Sequence, residues 1–177
     1  RVLVDLESPH TTRVLDADVH EGRVPYIVME MLVGEDLAAR IRQDGPVAPD
    51  RAIRWALEAC DALHEAHQAG IVHRDLKPSN LFVQRRKDRE SIKLLDFGIA
   101  KRTVKSGAEL DLTESNATIG SPRYSAPEQL HDARTADERT DVWGLGVTFF
   151  EVLAGRHAFE ADSLAILDVT AAPFGGA

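Results

Sequence analysis

The chain is poor in cysteine: Cys60 is the one thiol among 177 residues. An internal disulfide is therefore excluded, which suits a reducing compartment. Basic charge is also short, with 21 Lys and Arg against 29 Asp and Glu and a formal charge of −8. That balance argues against a surface built mainly to hold nucleic acid or an anionic membrane. No secretory signal is recognisable, and no apolar run approaches the ~18 residues that a membrane helix needs. His64 and His67 have no glutamate at metalloprotease spacing, and they read as solvated or core-edge side chains. What remains, 44% hydrophobic and 28% charged residues, is the composition of one soluble domain large enough to bury a core.

The densest chemistry lies at His73-Arg74-Asp75-Leu76-Lys77-Pro78-Ser79-Asn80, followed by Asp96-Phe97-Gly98. Asp75 can accept a proton from an attacking hydroxyl. Asn80 and Asp96 offer hard oxygens, the ligands Mg²⁺ prefers over nitrogen or sulfur. Lys77 is a mobile point charge able to balance a moving phosphoryl group. Positioning and charge neutralisation of this kind carry most of the rate in phosphoryl transfer, which asks little covalent chemistry of a protein.

With Ser125-Ala126-Pro127-Glu128 and Asp141-Val142-Trp143 further on, these motifs stand in the order found in protein kinases. Over roughly residues 1 to 165 the chain resembles the catalytic domain of bacterial serine/threonine kinases of eukaryotic type. The resemblance implies an α+β, protein-kinase-like two-lobed fold. Residues 1–34 would be a partial small lobe (the end of a helix, two strands and a hinge), and 35–177 a mostly helical large lobe. It implies transfer of the γ-phosphoryl group of ATP to serine or threonine hydroxyls of proteins, with Mg²⁺ or Mn²⁺ as the metal. A cytoplasmic setting follows, with any membrane tether outside this stretch, and self-association for autophosphorylation is a further expected contact. Lys77, two residues after the base, resembles the serine/threonine class.

The same resemblance assigns roles by position. Asp75, Lys77 and Asn80 would be catalytic, with Asn80 and Asp96 on the metal. Glu30 C=O and Leu32 N–H would bond adenine, Met29 would be the gatekeeper, Asp36 would reach the ribose and Phe82 would floor the base; Lys77 and Asp96 would complete the ATP site. Arg74 would grip a phosphate on the activation segment, residues 96–128, where Thr113, Ser115 and Thr118 are the available hydroxyls. Ser121 would hydrogen-bond Asp75 and Lys77, and Glu128 closes the segment. Asp141 would anchor the backbone of the catalytic loop. Leu3, Val14, His73 and Phe97 would stack as an apolar spine, which leaves His73 no part as acid or base.

Periodicity and punctuation predict the elements. Residues 1–7 read as the last turns of a helix stopped by Pro9. Val14-Leu15 and Tyr26 to Glu30 read as strands joined by a turn at Glu21-Gly22-Arg23, with Met31 to Gly34 as the hinge. A short helix is expected from Glu35 to Gln43, ended by Gly45-Pro46, and a longer one from Pro49 to Gln68, closed by Gly70. Ile53, Ala56, Leu57, Cys60 and Leu63 mark its expected buried face. Leu81 to Val83 and Ile92 to Leu95 form a hairpin whose charged tip, Arg85 to Glu90, reads as a solvated loop, a basic docking patch being the alternative. Thr140 to Ala154 is apolar nearly all round and is expected to be a buried helix with Thr140 as N-cap and Gly155 at its end.

Departures from the family pattern are equally plain. There is no Gly-rich loop and no strand lysine in a Val-Ala-x-Lys setting. The helix glutamate would fall just before Arg1, and the arginine that pairs with Glu128 would lie beyond the last residue. The expectation is a kinase cut at both ends, of low stability, binding Mg-ATP poorly and transferring phosphate slowly when alone. A pseudokinase-like binding module and a small-molecule phosphotransferase are the rival readings. Intact Asp75, Asn80 and Asp96 count against the first. Arg74, Ser121 and Glu128 count against the second.

Overall fold

In the computed structural model, residues 6–20, 24–87, 89–97, 122–131 and 136–159 are described. The helix expected over 1–7 falls mostly outside them, and Leu6 and Glu7 are not helical. Two strands come first, β1 (Val14–His20) and β2 (Val24–Met29), paired antiparallel from Val14↔Met29 to His20↔Val24. Val14 is buried, whereas Leu15, Val19, Tyr26 and Val28 stay exposed. Glu30 has left the strand, and the irregular segment after it ends at Val33, not Gly34.

Gly34 instead opens β3 (Gly34–Asp36), which pairs with β4 (Leu81–Arg86); β4 pairs in turn with β5 (Arg89–Leu94). The expected hairpin is therefore the centre of a three-stranded sheet, and Arg85, Arg86, Arg89 and Glu90 belong to its strands, not to a loop. Strand alternation places Leu81, Val83, Ile92 and Leu94, all fully buried, on the core side. Phe82 and its cross-strand partner Lys93 face the other way. Residues 10–12 run along the free edge of β5, with Thr12 N donating to Leu94 O at 3.0 Å and Leu94 N to His10 O at 2.8 Å.

Helix α1 (Leu37–Asp44) starts two residues later than the sequence suggests, because Asp36 is its N-cap and accepts from Ala39 N at 2.8 Å. Helix α2 (Pro49–Gln68) has the expected bounds, with Pro at its first position and Gly70 at φ +70° beyond its end. Its buried face is only partly the expected one: Leu63 is buried and Ala56 packs against the core, but the other three expected residues point outward. Ala52, Trp55, Ala59, Ala62, Leu63 and Ala66 face the core, while Ile53 and Leu57 are 59% and 61% exposed and Cys60 is exposed too. Both stripes have helical spacing. The alanine stripe wins because small side chains let the helix approach β5 and the last helix closely, with Trp55 filling the remaining gap.

After the short α3 (Pro127–His131) comes α4 (Glu138–Ala154). Its N-cap is Asp137, which accepts from Arg139 N at 2.9 Å. Thr140, expected in that place, lies a turn inside and donates its hydroxyl to Glu128 Oε1 at 2.9 Å. Burial is one-sided: Asp141, Gly144, Thr148, Phe149 and Val152 are inside, but Val142, Phe150 and Leu153 are exposed among the described residues. Gly155 ends the helix in the left-handed region and bonds Glu151 O at 2.8 Å.

Gly34 holds φ +149°, and a Cβ there would meet Val83 O at 1.9 Å. Gly34→Ala is expected to destabilise the fold by about 3 kcal/mol, because the strained backbone and the clash with β4 cannot both relax. A urea titration monitored by circular dichroism would show it; an unchanged midpoint would contradict the close β3–β4 packing.

Candidate active site

The loop between α2 and β4 carries the chemistry, and it is held from below by one carboxylate. Asp141 on α4 is fully buried. Its Oδ2 accepts the His73 amide at 2.8 Å and its Oδ1 the Arg74 amide at 2.8 Å. A third donor, His67 Nε2 on α2, reaches Oδ2 at 2.7 Å. A buried charge needs such donors to be tolerated. His67 was not legible as a site residue, since nothing in local spacing ties it to a residue 74 positions away.

His73 is fully buried, and burial pushes its imidazole below the ordinary histidine value, only partly offset by Asp141 nearby. The neutral ring has one defined hydrogen-bonding arrangement: Nε2–H donates to Leu95 O at 2.8 Å, and Nδ1 accepts from Asp75 N at 3.3 Å. Its ring lies 4.9 Å from that of buried Phe97. Of the other two expected spine members, Val14 is buried but outside the core cluster that holds Phe97, and Leu3 lies outside the described residues. The loop is thus tied to the exit of β5, where Leu95 N also donates to Asn80 O at 2.9 Å.

Around that frame three side chains converge. Lys77 Nζ bonds Asp75 Oδ2 at 2.8 Å, and Asn80 Nδ2 bonds Asp75 O at 2.7 Å and Oδ2 at 3.1 Å. Both donors use Oδ2, so Asp75 Oδ1 accepts no bond among the described residues. The Asn80 amide, having spent its N–H groups on Asp75, leaves Oδ1 as a free acceptor. Asp96, the second residue after β5, is exposed, and its carboxylate has no hydrogen-bond or ion-pair partner among the described residues. Arg74 and Asp96 hold the left-handed backbone, at φ 68° and 52°.

Among the described residues no group of three His, Cys, Asp or Glu could hold a metal unaided. The donor set still fits Mg²⁺, which is commonly held by one or two protein oxygens with waters and substrate phosphates completing the shell. Asn80 Oδ1, beside Asp75, and the Asp96 carboxylate, just past the end of β5, are hard oxygen donors left unspent among the described residues.

The segment after β2 is fixed by its side chain. Glu30 Oε1 accepts the Arg13 amide at 3.0 Å and the buried Lys93 ammonium at 2.5 Å, and Lys93 also donates to Thr11 O at 3.0 Å. Burial raises the Glu30 carboxyl, but the bonds from Lys93 and Arg13 outweigh it, and its pKa is lowered overall. Among the described residues neither Glu30 C=O nor Leu32 N–H has a partner, while Val33 O accepts from Arg85 N at 2.8 Å. Met29 is 39% exposed and Phe82 half-buried. Asp36 faces a competing demand, since the cap bond to Ala39 N occupies Oδ1 and only its second oxygen is open to a ribose.

Arg74 is exposed; its guanidinium donates to Ala136 O at 3.2 Å, and its carbonyl accepts from Gln129 Nε2 at 2.9 Å. Thr113, Ser115, Thr118 and Ser121 lie outside the described residues. Tyr124, just after them, donates its hydroxyl to Glu151 at 2.5 Å, and burial followed by that bond pushes its pKa well up.

The protein kinase domain model matches residues 1–171. The serine/threonine-protein kinase PknB of Mycolicibacterium smegmatis is 40% identical over 161 residues, which is 89% of this chain and 25% of that protein. The serine/threonine-protein kinase pkn3 of Myxococcus xanthus is 36% identical over 159 residues, 89% of this chain and 29% of that protein. The chain thus spans about a quarter of the length of the curated relatives it matches. Among solved structures, a mutant of the Mycobacterium tuberculosis PknI kinase domain has a TM-score of 0.69 and 26% identity over 90% of this chain and 56% of its own. Rad53 1–466 in complex with AMP-PNP has a TM-score of 0.73 and 25% identity over 94% of this chain and 39% of its own.

Asp141→Ala would orphan two buried amides and His67, and it is expected to cost about 3 kcal/mol, read as a lower melting temperature together with faster amide exchange at His73 and Arg74. Retained protection at those amides would show that the carboxylate does not hold the loop. Glu30→Gln is expected to lower stability at neutral pH by about 1 to 2 kcal/mol. Because the folded Glu30 pKa lies below its unfolded value, this contribution is complete above the unfolded value and is lost as pH falls through the folded one. The gap between Glu30→Gln and the unsubstituted chain, measured by urea denaturation, should therefore close in strong acid; a gap independent of pH would exclude the ion pair as its source.

Proposed function

This chain belongs to the protein kinase domain family, and from that premise we propose that it transfers the γ-phosphoryl group of ATP to serine or threonine hydroxyls of proteins. The observation that carries the reading is the cluster of Asp75, Lys77 and Asn80. Two donors hold Asp75 by Oδ2 and leave Oδ1 without a hydrogen-bond partner among the described residues, so that it would accept the proton of an incoming hydroxyl. Lys77, 2.8 Å from that carboxylate, carries the positive charge next to where the phosphoryl group would pass. Asn80 Oδ1 and Asp96 are the residues that would hold Mg²⁺. When bound, the metal would neutralise phosphate charge and orient the nucleotide. His73, buried and neutral, orients Asp75 through its amide and takes no proton itself.

Adenine would lie over Phe82, its edge read by Glu30 C=O and Leu32 N–H. Support comes from the bond between Glu30 and Lys93, the cross-strand partner of Phe82, which ties the segment carrying the open backbone groups to the strand next to Phe82. Met29 would close the inner end, and the second Asp36 oxygen would meet the ribose. Arg74, exposed beside the base, would bind a phosphate on Thr113, Ser115 or Thr118, and Ser121 would bridge Asp75 and Lys77 when a substrate docks. Proteins are favoured as acceptor over small molecules because the relatives are named serine/threonine-protein kinases. Among the described residues no helix is long and apolar enough to cross a membrane.

Asp75→Asn is expected to reduce transfer from radiolabelled ATP to protein hydroxyls by on the order of 10²- to 10⁴-fold while leaving the nucleotide-dependent thermal shift intact. Undiminished transfer by Asp75→Asn, or label appearing on sugars in preference to protein, would overturn the reading.

A further inference from the structure

On a chain with net charge −8, one cleft among the described residues is lined mostly by basic side chains. A cleft of ≈ 480 Å³ lies between the first turns of α2 and the far end of the β4–β5 hairpin, lined by Arg51, Arg54, Trp55, Arg85, Lys87, Arg89 and Glu90. Leu81, which follows the catalytic loop, and Arg86 lie five residues apart along β4, so the cleft sits roughly 16 Å from that loop at ~3.3 Å per residue. Its wall residue Arg85 donates its amide to Val33 O, so the cleft adjoins the segment proposed to read adenine but stands apart from the catalytic loop.

The cations in it fall into two groups. Glu90 Oε2 faces Arg51 at 3.7 Å, and Glu90 Oε1 meets Arg85 at 3.6 Å and buried Arg40 at 2.7 Å. Arg85 also pairs with Glu35 at 2.8 Å. These contacts fix the walls and spend Glu90, the one carboxylate lining the cleft among the described residues. Arg54, Lys87 and Arg89 have no ion-pair or hydrogen-bond partner among the described residues, and all three are exposed. Trp55, only 1% exposed, forms a rigid floor with the Arg51 guanidinium stacked 5.9 Å from its ring centre.

We propose that this cleft binds a phosphoserine or phosphothreonine side chain presented by a protein. Three unspent cations suit a group with nearly two negative charges and three acceptor oxygens better than they suit a single carboxylate. The cleft is also far larger than an ion needs, against ~30 Å³ for one water's share of the liquid, so the residue carrying the phosphate and its neighbours can enter over the Trp55 floor. The inference goes beyond the kinase reading and does not require it, since binding is measured without turnover. Were both correct, the chain would hold phosphorylated protein at a point remote from the transfer site.

The test is fluorescence polarisation with a fluorescein-labelled peptide of neutral residues around one phosphothreonine, at physiological ionic strength. The expected result is binding about tenfold or more tighter than that of the unphosphorylated peptide, lost by a similar factor in Arg54→Glu with Arg89→Glu, and unchanged in Asp75→Asn. Equal binding of both peptides, indifference to the two charge reversals, or inorganic phosphate competing as well as its share of charge in the peptide would each overturn it, the last by showing an anion site only. The unsubstituted chain supplies a check free of folding defects: the Trp55 indole N–H resonance should shift on adding the phosphopeptide and stay in place with the unphosphorylated one. A still resonance under saturating phosphopeptide refutes the proposal, whatever the phosphotransfer assay shows.

Discussion

The buried carboxylate of Asp141 is the constraint on which the site depends. A loop of this length has no intrinsic reason to present Asp75 and Asn80 in one place, and Arg74 must even adopt a backbone conformation that its side chain disfavours. Two main-chain amides and an imidazole converge on Asp141, and each is a donor that would otherwise be buried without a partner. The carboxylate is tolerated inside only because of them, and they are ordered only because of it. The loop therefore inherits its position from α2 and α4 together, and the core packing of those helices becomes catalytic geometry.

From that anchor the bonding runs in a closed circuit. His73 reaches Leu95 O, Leu95 N reaches Asn80 O, and Asn80 returns to Asp75. The circuit explains why the proposed base and the proposed metal ligands stand at one end of the β4–β5 hairpin while the basic cleft stands at the other. Lys93 extends the arrangement across the sheet by gripping Glu30, so the backbone groups proposed to read adenine are held to the strand that leads into Asp96.

Much of this could be read from the chain alone, and the misses share a cause. Catalytic-loop and metal-turn residues are contiguous, so their chemistry shows in short words such as His-Arg-Asp and Asp-Phe-Gly. The bounds of α2 were equally legible, because Pro49 and Gly70 punctuate them locally. What escaped was whatever depends on a distant partner. His67 looked like an edge histidine until α4 brought Asp141 to it. Hydrophobic spacing places Ile53, Ala56, Leu57, Cys60 and Leu63 on the buried face of α2; Leu63 and Ala56 do meet the core, but the packing partner selects alanines for their size over Ile53 and Leu57. Thr140 has the chemistry of a cap, yet Asp137 took the position and Thr140 turned to Glu128. Likewise the charged hairpin was visible as a string of arginines, but the pocket they form with α2 exists only in three dimensions.

The left-handed bends at Arg74 and Asp96 have a further consequence. Each holds a Cβ-bearing residue where the chain gains on the order of 1 kcal/mol by letting go. One lies at the entry to the catalytic loop and the other at the exit from β5, and the bonds between His73, Leu95 and Asn80 clasp them shut. The same few bonds therefore restrain both bends, and the strain at each is offset by contacts that the other shares.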